Sequence, residues 1–127
     1  MARITSNIIP EEELCIFTIE GSASRDELVD IVINIKPEQR TRNVIWDASN
    51  GTVETIGKED LRSIAKFLKS GHGMRTGGKT ALVGPEDLDF GIGRMFQAYA
   101  TLENLTVQYR IFRTLDGALA WIGEEHS

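Results

Sequence analysis

The chain has little of what usually carries covalent architecture or metal chemistry: among 127 residues there are one cysteine, two histidines and three prolines. A single thiol closes no internal disulfide, which excludes a disulfide-stapled mini-fold. Cys15 sits in the apolar run Leu14-Cys15-Ile16-Phe17 and reads as a small buried hydrophobe rather than a nucleophile. His72 lies in a glycine-rich stretch and His126 in the tail, both without partners at ligand spacing, so neither a metal site nor a cofactor is expected. No apolar run approaches the roughly 20 residues that span a bilayer. The opening segment carries Glu11, Glu12 and Glu13 where a secretory leader would be apolar. A cytoplasmic location without a transmembrane segment is the expectation. Positive charge is outnumbered as well: 14 Lys and Arg stand against 19 Asp and Glu, for a net charge of −5. Such a molecule repels polyanions overall, which disfavours nucleic acid as a partner.

What remains is an ordinary globular composition, 41% hydrophobic and 26% charged. The length suits one domain with one sizeable core, residues 1–127 together. Arg3 to Ile9 and Leu14 to Glu20 are β-prone runs separated by Pro10-Glu11-Glu12-Glu13, a hairpin that Gly21 ends. Ser24 with Glu27 forms a capping box, and Leu28, Ile31, Val32 and Ile35 follow as one helical stripe that Pro37 stops. Asn43-Val44-Ile45-Trp46 reads as a strand buried on both faces, with Asp47 at its end. A second helix carries Leu61, Ile64, Ala65 and Leu68 and is capped by Gly71. Thr80 to Val83 is the next strand, closed by Gly84-Pro85.

A third helix runs from Glu86 or Asp87 to about Glu103, with Gly91 and Gly93 marking a close packing contact or a break near its start. Thr106 to Phe112 makes the last strand, and Thr114 caps a helix bearing Leu115, Ala118, Leu119 and Ile122. The layout ββαβαβαβα is that of an α/β fold: an N-terminal hairpin, then strands alternating with helices in a mostly parallel five-stranded sheet.

Residues 73–80, Gly-Met-Arg-Thr-Gly-Gly-Lys-Thr, match the phosphate-loop pattern GxxxxGK[ST] letter for letter, and Val44-Ile45-Trp46-Asp47 resembles the strand that ends in a magnesium-side aspartate. A phosphate loop works by leaving a strand and opening a helix, so that backbone N–H groups and the helix dipole converge on the anion. Here the glycines follow a helix and lead into a strand. Nucleotide binding through residues 73–80 is therefore the remotest reading. Gly91-Ile92-Gly93 lacks the third glycine and the preceding strand of a dinucleotide fingerprint. Ser49, Asp47 and His72 lack a nucleophile elbow, so no catalytic residues are assigned and no enzyme is expected. Lys58, Arg62, Lys66 and Lys69, at spacings of four, four and three, form a basic row on the second helix, near Arg75 and Lys79. A solvated helix face, with Glu59 pairing Arg62, is the simpler reading, and a docking face for an acidic partner or an anionic headgroup the functional one.

The segment Phe90-Gly91-Ile92-Gly93-Arg94-Met95-Phe96-Gln97-Ala98-Tyr99, with Ile111-Phe112-Arg113-Thr114-Leu115 and Ala118-Leu119-Ala120-Trp121-Ile122, resembles the bacterial SpoIIAA-like branch of the STAS superfamily. The likeness runs over nearly the whole chain. It implies helices on a sheet, no enzymatic activity, and a role in protein docking or, by analogy with CRAL-TRIO lipid carriers of similar topology, in apolar ligand binding. The STAS anti-sigma-factor antagonists use a phosphorylatable serine in an Asp-Ser-Ser-Gly-like motif. The matching stretch here, Asp47 to Gly57, lacks that motif, and Thr55 is its nearest hydroxyl.

The resulting expectations are a non-enzymatic interaction module docking another protein through Asp47, Ser49, Thr55, Lys58 and Arg62, or a carrier of an apolar or lipid-like ligand held near Met74, Phe90, Met95, Phe96 and Tyr99. A homodimer through an exposed sheet edge or an apolar helix face is compatible with either.

Overall fold

The computed structural model describes residues 2–70 and 77–124. Strands β1 (Ala2–Ile9) and β2 (Leu14–Ser22) form the expected hairpin, paired antiparallel from Ala2 opposite Gly21 to Ile9 opposite Leu14. A 3-10 turn over Pro10–Glu12 reverses the chain, and Glu13 closes it at φ 51° by donating its N–H to the Pro10 carbonyl. Helix α1 (Arg25–Ile33), strand β3 (Asn43–Thr52), helix α2 (Lys58–Lys69), strand β4 (Lys79–Val83), helix α3 (Asp87–Leu102), strand β5 (Gln108–Phe112) and helix α4 (Leu115–Ile122) follow. The sheet order is β1-β2-β3-β4-β5, antiparallel only at the hairpin and parallel thereafter.

That order decides where the helices go. Parallel crossovers are right-handed. When successive strands are added in one direction without reversal, every crossover helix falls on the same face of the sheet. Helices α1, α2 and α3 accordingly share one face, where α2 packs on α3 and α1. The opposite face is left to the terminal helix, whose Ala118, Trp121 and Ile122 seat on Leu14, Ile16, Ile45 and Ala81.

The caps read from the sequence are in place. Glu27 donates its backbone N–H to Ser24 Oγ at 3.2 Å while its carboxylate accepts from Ser24 N at 3.0 Å, and Gly117 N donates to Thr114 Oγ1 at 3.0 Å. The second carboxylate oxygen of Glu27 accepts from Ala2 N at 3.0 Å, which ties α1 to the edge of the hairpin. Those bonds, the one from Ala2 foremost and that from Ser24 next, hold the Glu27 carboxyl below its ordinary value. Gly93 meets its expectation too. A Cβ there would collide with the Ile111 side chain, so the glycine lets α3 lie close on β5.

Several boundaries differ from the sequence reading. Gly21, expected to end β2, lies within it, because the strand stays paired with β3 as far as Ser22. Helix α1 stops at Ile33, short of Ile35, because Asn34 already caps it by donating to the Asp30 carbonyl. Strand β3 does not end near Asp47 but continues to Thr52. The residues Asn50, Gly51 and Thr52, read as loop, pair with Glu20, Gly21 and Ser22 beyond a bulge in which Ile19 spans Ala48 and Ser49. Gly51 makes this extension possible, since a Cβ there would lie 2.5 Å from the Ile19 carbonyl oxygen. Strand β5 begins at Gln108 rather than Thr106, because its partner β4 begins only at Lys79, after Gly77 and Gly78 at φ 76° and 86°. Helix α2 ends at Lys69 with Ser70 as its cap, and the proposed cap Gly71 lies outside the described residues.

Candidate functional site

The three-helix face holds a partly open cavity of about 150 Å³. Trp46, Leu82 and Tyr109 form its floor, Leu28 and Val32 of α1 one wall, Ile92 and Phe96 of α3 the other, and Leu61, Ile64 and Leu68 of α2 its roof. Ring packing fixes the aromatic walls. Phe17 stacks on Trp46 with centroids 4.5 Å apart and planes 20° apart, and Phe96 meets Tyr109 edge-on at 5.3 Å and 81°.

Among the described residues one charged group lines this space, Asp89 of α3, only 4% exposed. It sits in the first turn of its helix, where the dipole favours an anion. Its Oδ1 accepts from Thr52 Oγ1 at 2.8 Å and from Val53 N at 2.9 Å, pinning the chain that leaves β3. Gly84 allows the approach, since a Cβ there would lie 2.9 Å from Asp89 Cβ.

Of the five residues expected to hold an apolar ligand, Phe96 lines the cavity. Tyr99 is half-buried and packs against the same core cluster, Phe90 lies 4.3 Å under the Arg113 guanidinium, and Met95 is 41% exposed. Met74 lies outside the described residues. The sequence reading missed the contribution of α1 and α2, although their stripes at Leu28, Val32, Leu61, Ile64 and Leu68 were visible. It also missed Asp89, whose one signal was an acid in the first turn of a helix.

The residues expected to dock a protein are spread out. Asp47, buried, accepts at Oδ1 from Ser49 N at 2.9 Å and from Ser49 Oγ at 2.5 Å. Thr55 is exposed and donates to the Ala23 carbonyl at 3.3 Å. Lys58 and Arg62 stand exposed one turn apart on α2, in row with exposed Lys66 and Lys69. Among the described residues no ion pair engages that row, so the expected Glu59–Arg62 pair is not made. Arg75 and His72 fall outside the described residues.

The phosphate-loop lysine has another employment. Lys79 opens strand β4, is 3% exposed, and donates from Nζ to the carbonyls of Trp121 at 2.7 Å and Glu124 at 2.9 Å, its ammonium 5.2 Å from the Trp121 ring centre. It therefore caps the C-terminal carbonyls of α4, on the face opposite the cavity. Thr80 and its followers are strand, not the opening turn of a helix. Cys15 is fully buried, and burial pushes its thiol up, away from the reactive thiolate. Among the described residues no group of three His, Cys, Asp or Glu is placed to hold a metal ion, and no helix is long and apolar enough to cross a membrane.

No protein-family model and no curated protein matches the chain. Among solved structures it is similar to an uncharacterized protein from the DUF3478 family with a SpoIIAA-like fold, from Shewanella loihica PV-4, at a TM-score of 0.51 and 15% identity over 95% of this chain and 93% of that one. With the strand order and helix placement above, that likeness establishes the architecture: the chain has the SpoIIAA-like α/β fold.

Proposed function

We propose that this protein binds a small apolar ligand, without catalysis, in the cavity between the sheet and helices α1 to α3. The observation that carries the reading is the wall itself, which among the described residues is apolar apart from Thr80, Asp89 and the polar ends of Tyr109 and Trp46. An apolar cavity of this size has room for a molecule about as large as benzene. Burying about 150 Å² of such a ligand at about 25 cal/mol per Å² contributes about 4 kcal/mol, which corresponds to millimolar affinity. A ligand held more tightly has to continue from the cavity between the helices. Native mass spectrometry of gently purified protein tests this: a reproducible added mass, lost on extraction with organic solvent, supports a carrier. Protein that is always empty, and whose melting temperature does not rise with benzene-sized ligands, contradicts it.

The exposed row Lys58, Arg62, Lys66 and Lys69 favours a second reading, a docking face for an acidic protein partner. Reversing Arg62 and Lys66 to glutamate should abolish recovery of such a partner. Recovery unchanged by the reversal would dismiss the row as a solvated helix surface.

A further inference from the structure

We infer that Asp89 selects the ligand of this cavity by its head group, favouring an apolar body that ends in a hydrogen-bond donor, an amine first and an alcohol second, over one that ends in a carboxylate. The inference rests on the proposed apolar site and goes further by naming the ligand chemistry. Among the described residues Asp89 is the sole charge on the cavity wall, and no lysine, arginine or histidine lines it. The two bonds Asp89 makes, from Thr52 and Val53, both fall on Oδ1, and Oδ2 receives none from any described residue. A carboxylate oxygen in a site that is 96% withdrawn from solvent, without a donor of its own, attracts a donor and repels an anion far more strongly than it would in water.

Its place in the fold gives the bound molecule a direction. Asp89 lies beside Gly84 and Val53, at the end of the cavity where β4 gives way to α3. Trp46, Leu82 and Phe96 line the apolar remainder. A head group at Asp89 therefore leaves the apolar body beneath α2. Apolar molecules that end in a carboxylate, fatty acids among them, are the class this arrangement rejects.

Benzylamine, benzyl alcohol and benzoate share one ring and differ only in the head. Each is titrated into the whole protein while the indole N–H signal of Trp46 is followed by NMR. Trp121, on the far face under α4, serves as the internal reference. The expected order is amine, then alcohol, then benzoate, with amine over benzoate by about tenfold or more, equivalent to about 1.4 kcal/mol. Asp89→Asn keeps an acceptor for Thr52 and Val53 and should bring the three within about twofold of one another. Three probes that bind equally to the unmodified protein overturn the role of Asp89 and leave the apolar site standing. Benzoate binding best overturns it as well. If none of the three moves the Trp46 signal, the apolar site and the inference fall together. The order in the unmodified protein decides the matter even where the variant does not fold.

Discussion

On one face of the sheet a single helix, α4, sets Trp121, Ile122 and Ala118 directly onto Ile45 and Ala81, and Lys79 reaches up from β4 to close the end of that helix. On the other face three helices share a wider floor, α2 leans on its neighbours, and about 150 Å³ stays unfilled. The same strands supply both faces, with neighbouring residues such as Ile45 and Trp46 pointing in opposite directions. The difference therefore comes from the connections. A sheet extended in one direction puts all its crossover helices on one side, and a middle helix held by two neighbours roofs the space between them. Doubly wound sheets place ligands at the point where strand order reverses. This sheet has no reversal, and its candidate site lies under the helices instead.

The two faces should differ most at Ile45, which is fully buried. Ile45→Ala should cost about 3–4 kcal/mol, because the α4 face has no slack in which to collapse. Chemical denaturation measures it, and a cost below about 1 kcal/mol would mean that this face is as loosely filled as the other. Lys79→Met comes next, at about 2–3 kcal/mol, since it strips the Trp121 and Glu124 carbonyls of a charged donor. Millimolar ATP should leave the melting temperature of the unmodified protein where it is. A rise would show that the lysine exchanges its helix for a phosphate. A paired addition of bulk then separates the faces. Ala81→Val, at a fully buried site under α4, should cost about 1–3 kcal/mol, whereas Val32→Leu, which extends into the cavity, should cost less than about 0.5 kcal/mol or stabilise. Equal costs would mean that the cavity does not admit a methylene.

Most of the architecture was legible because it is local. Ser24 with Glu27, Thr114, and the helical stripes each signal an element within a few residues of themselves, and the strand-helix alternation then fixes the fold class. The extension of β3 was not legible, since Asn50-Gly51-Thr52 has turn composition and becomes strand only because Gly51 lets Ile19 and Gly21 come close. The cavity was half legible for the same reason. Phe96 could be assigned to an apolar wall from its stripe, but which wall faces a void depends on how three helices seat together. Asp89 carried no signal beyond an acid in the first turn of a helix, because its partners Thr52 and Val53 stand 37 and 36 residues away. The phosphate-loop match fails on the opposite ground: the letters are local and correct, while the strand at Lys79–Val83 gives them the wrong geometry.

The smallest effect is expected at Glu27, which touches neither face and so tests whether the comparison is about packing rather than global stability. Its carboxyl is held below the ordinary value of 4.5 by the N–H groups of Ala2 and Ser24. A group whose folded value is depressed lends stability that is fully present above its ordinary value and is lost as the pH falls through the depressed one. Glu27→Gln should therefore lower the urea midpoint modestly at pH 7, and the gap should close as both proteins are taken below pH 4.5. The variant should still bind benzylamine as tightly as the unmodified protein, because α1 keeps Leu28 and Val32 on the wall while its tie to β1 loosens. A gap that stays constant with pH would mean that the bonds of Glu27 do not depend on its charge. Weakened benzylamine binding would mean that the cavity is held open from the hairpin edge, and the two faces would then no longer be separable by their packing alone.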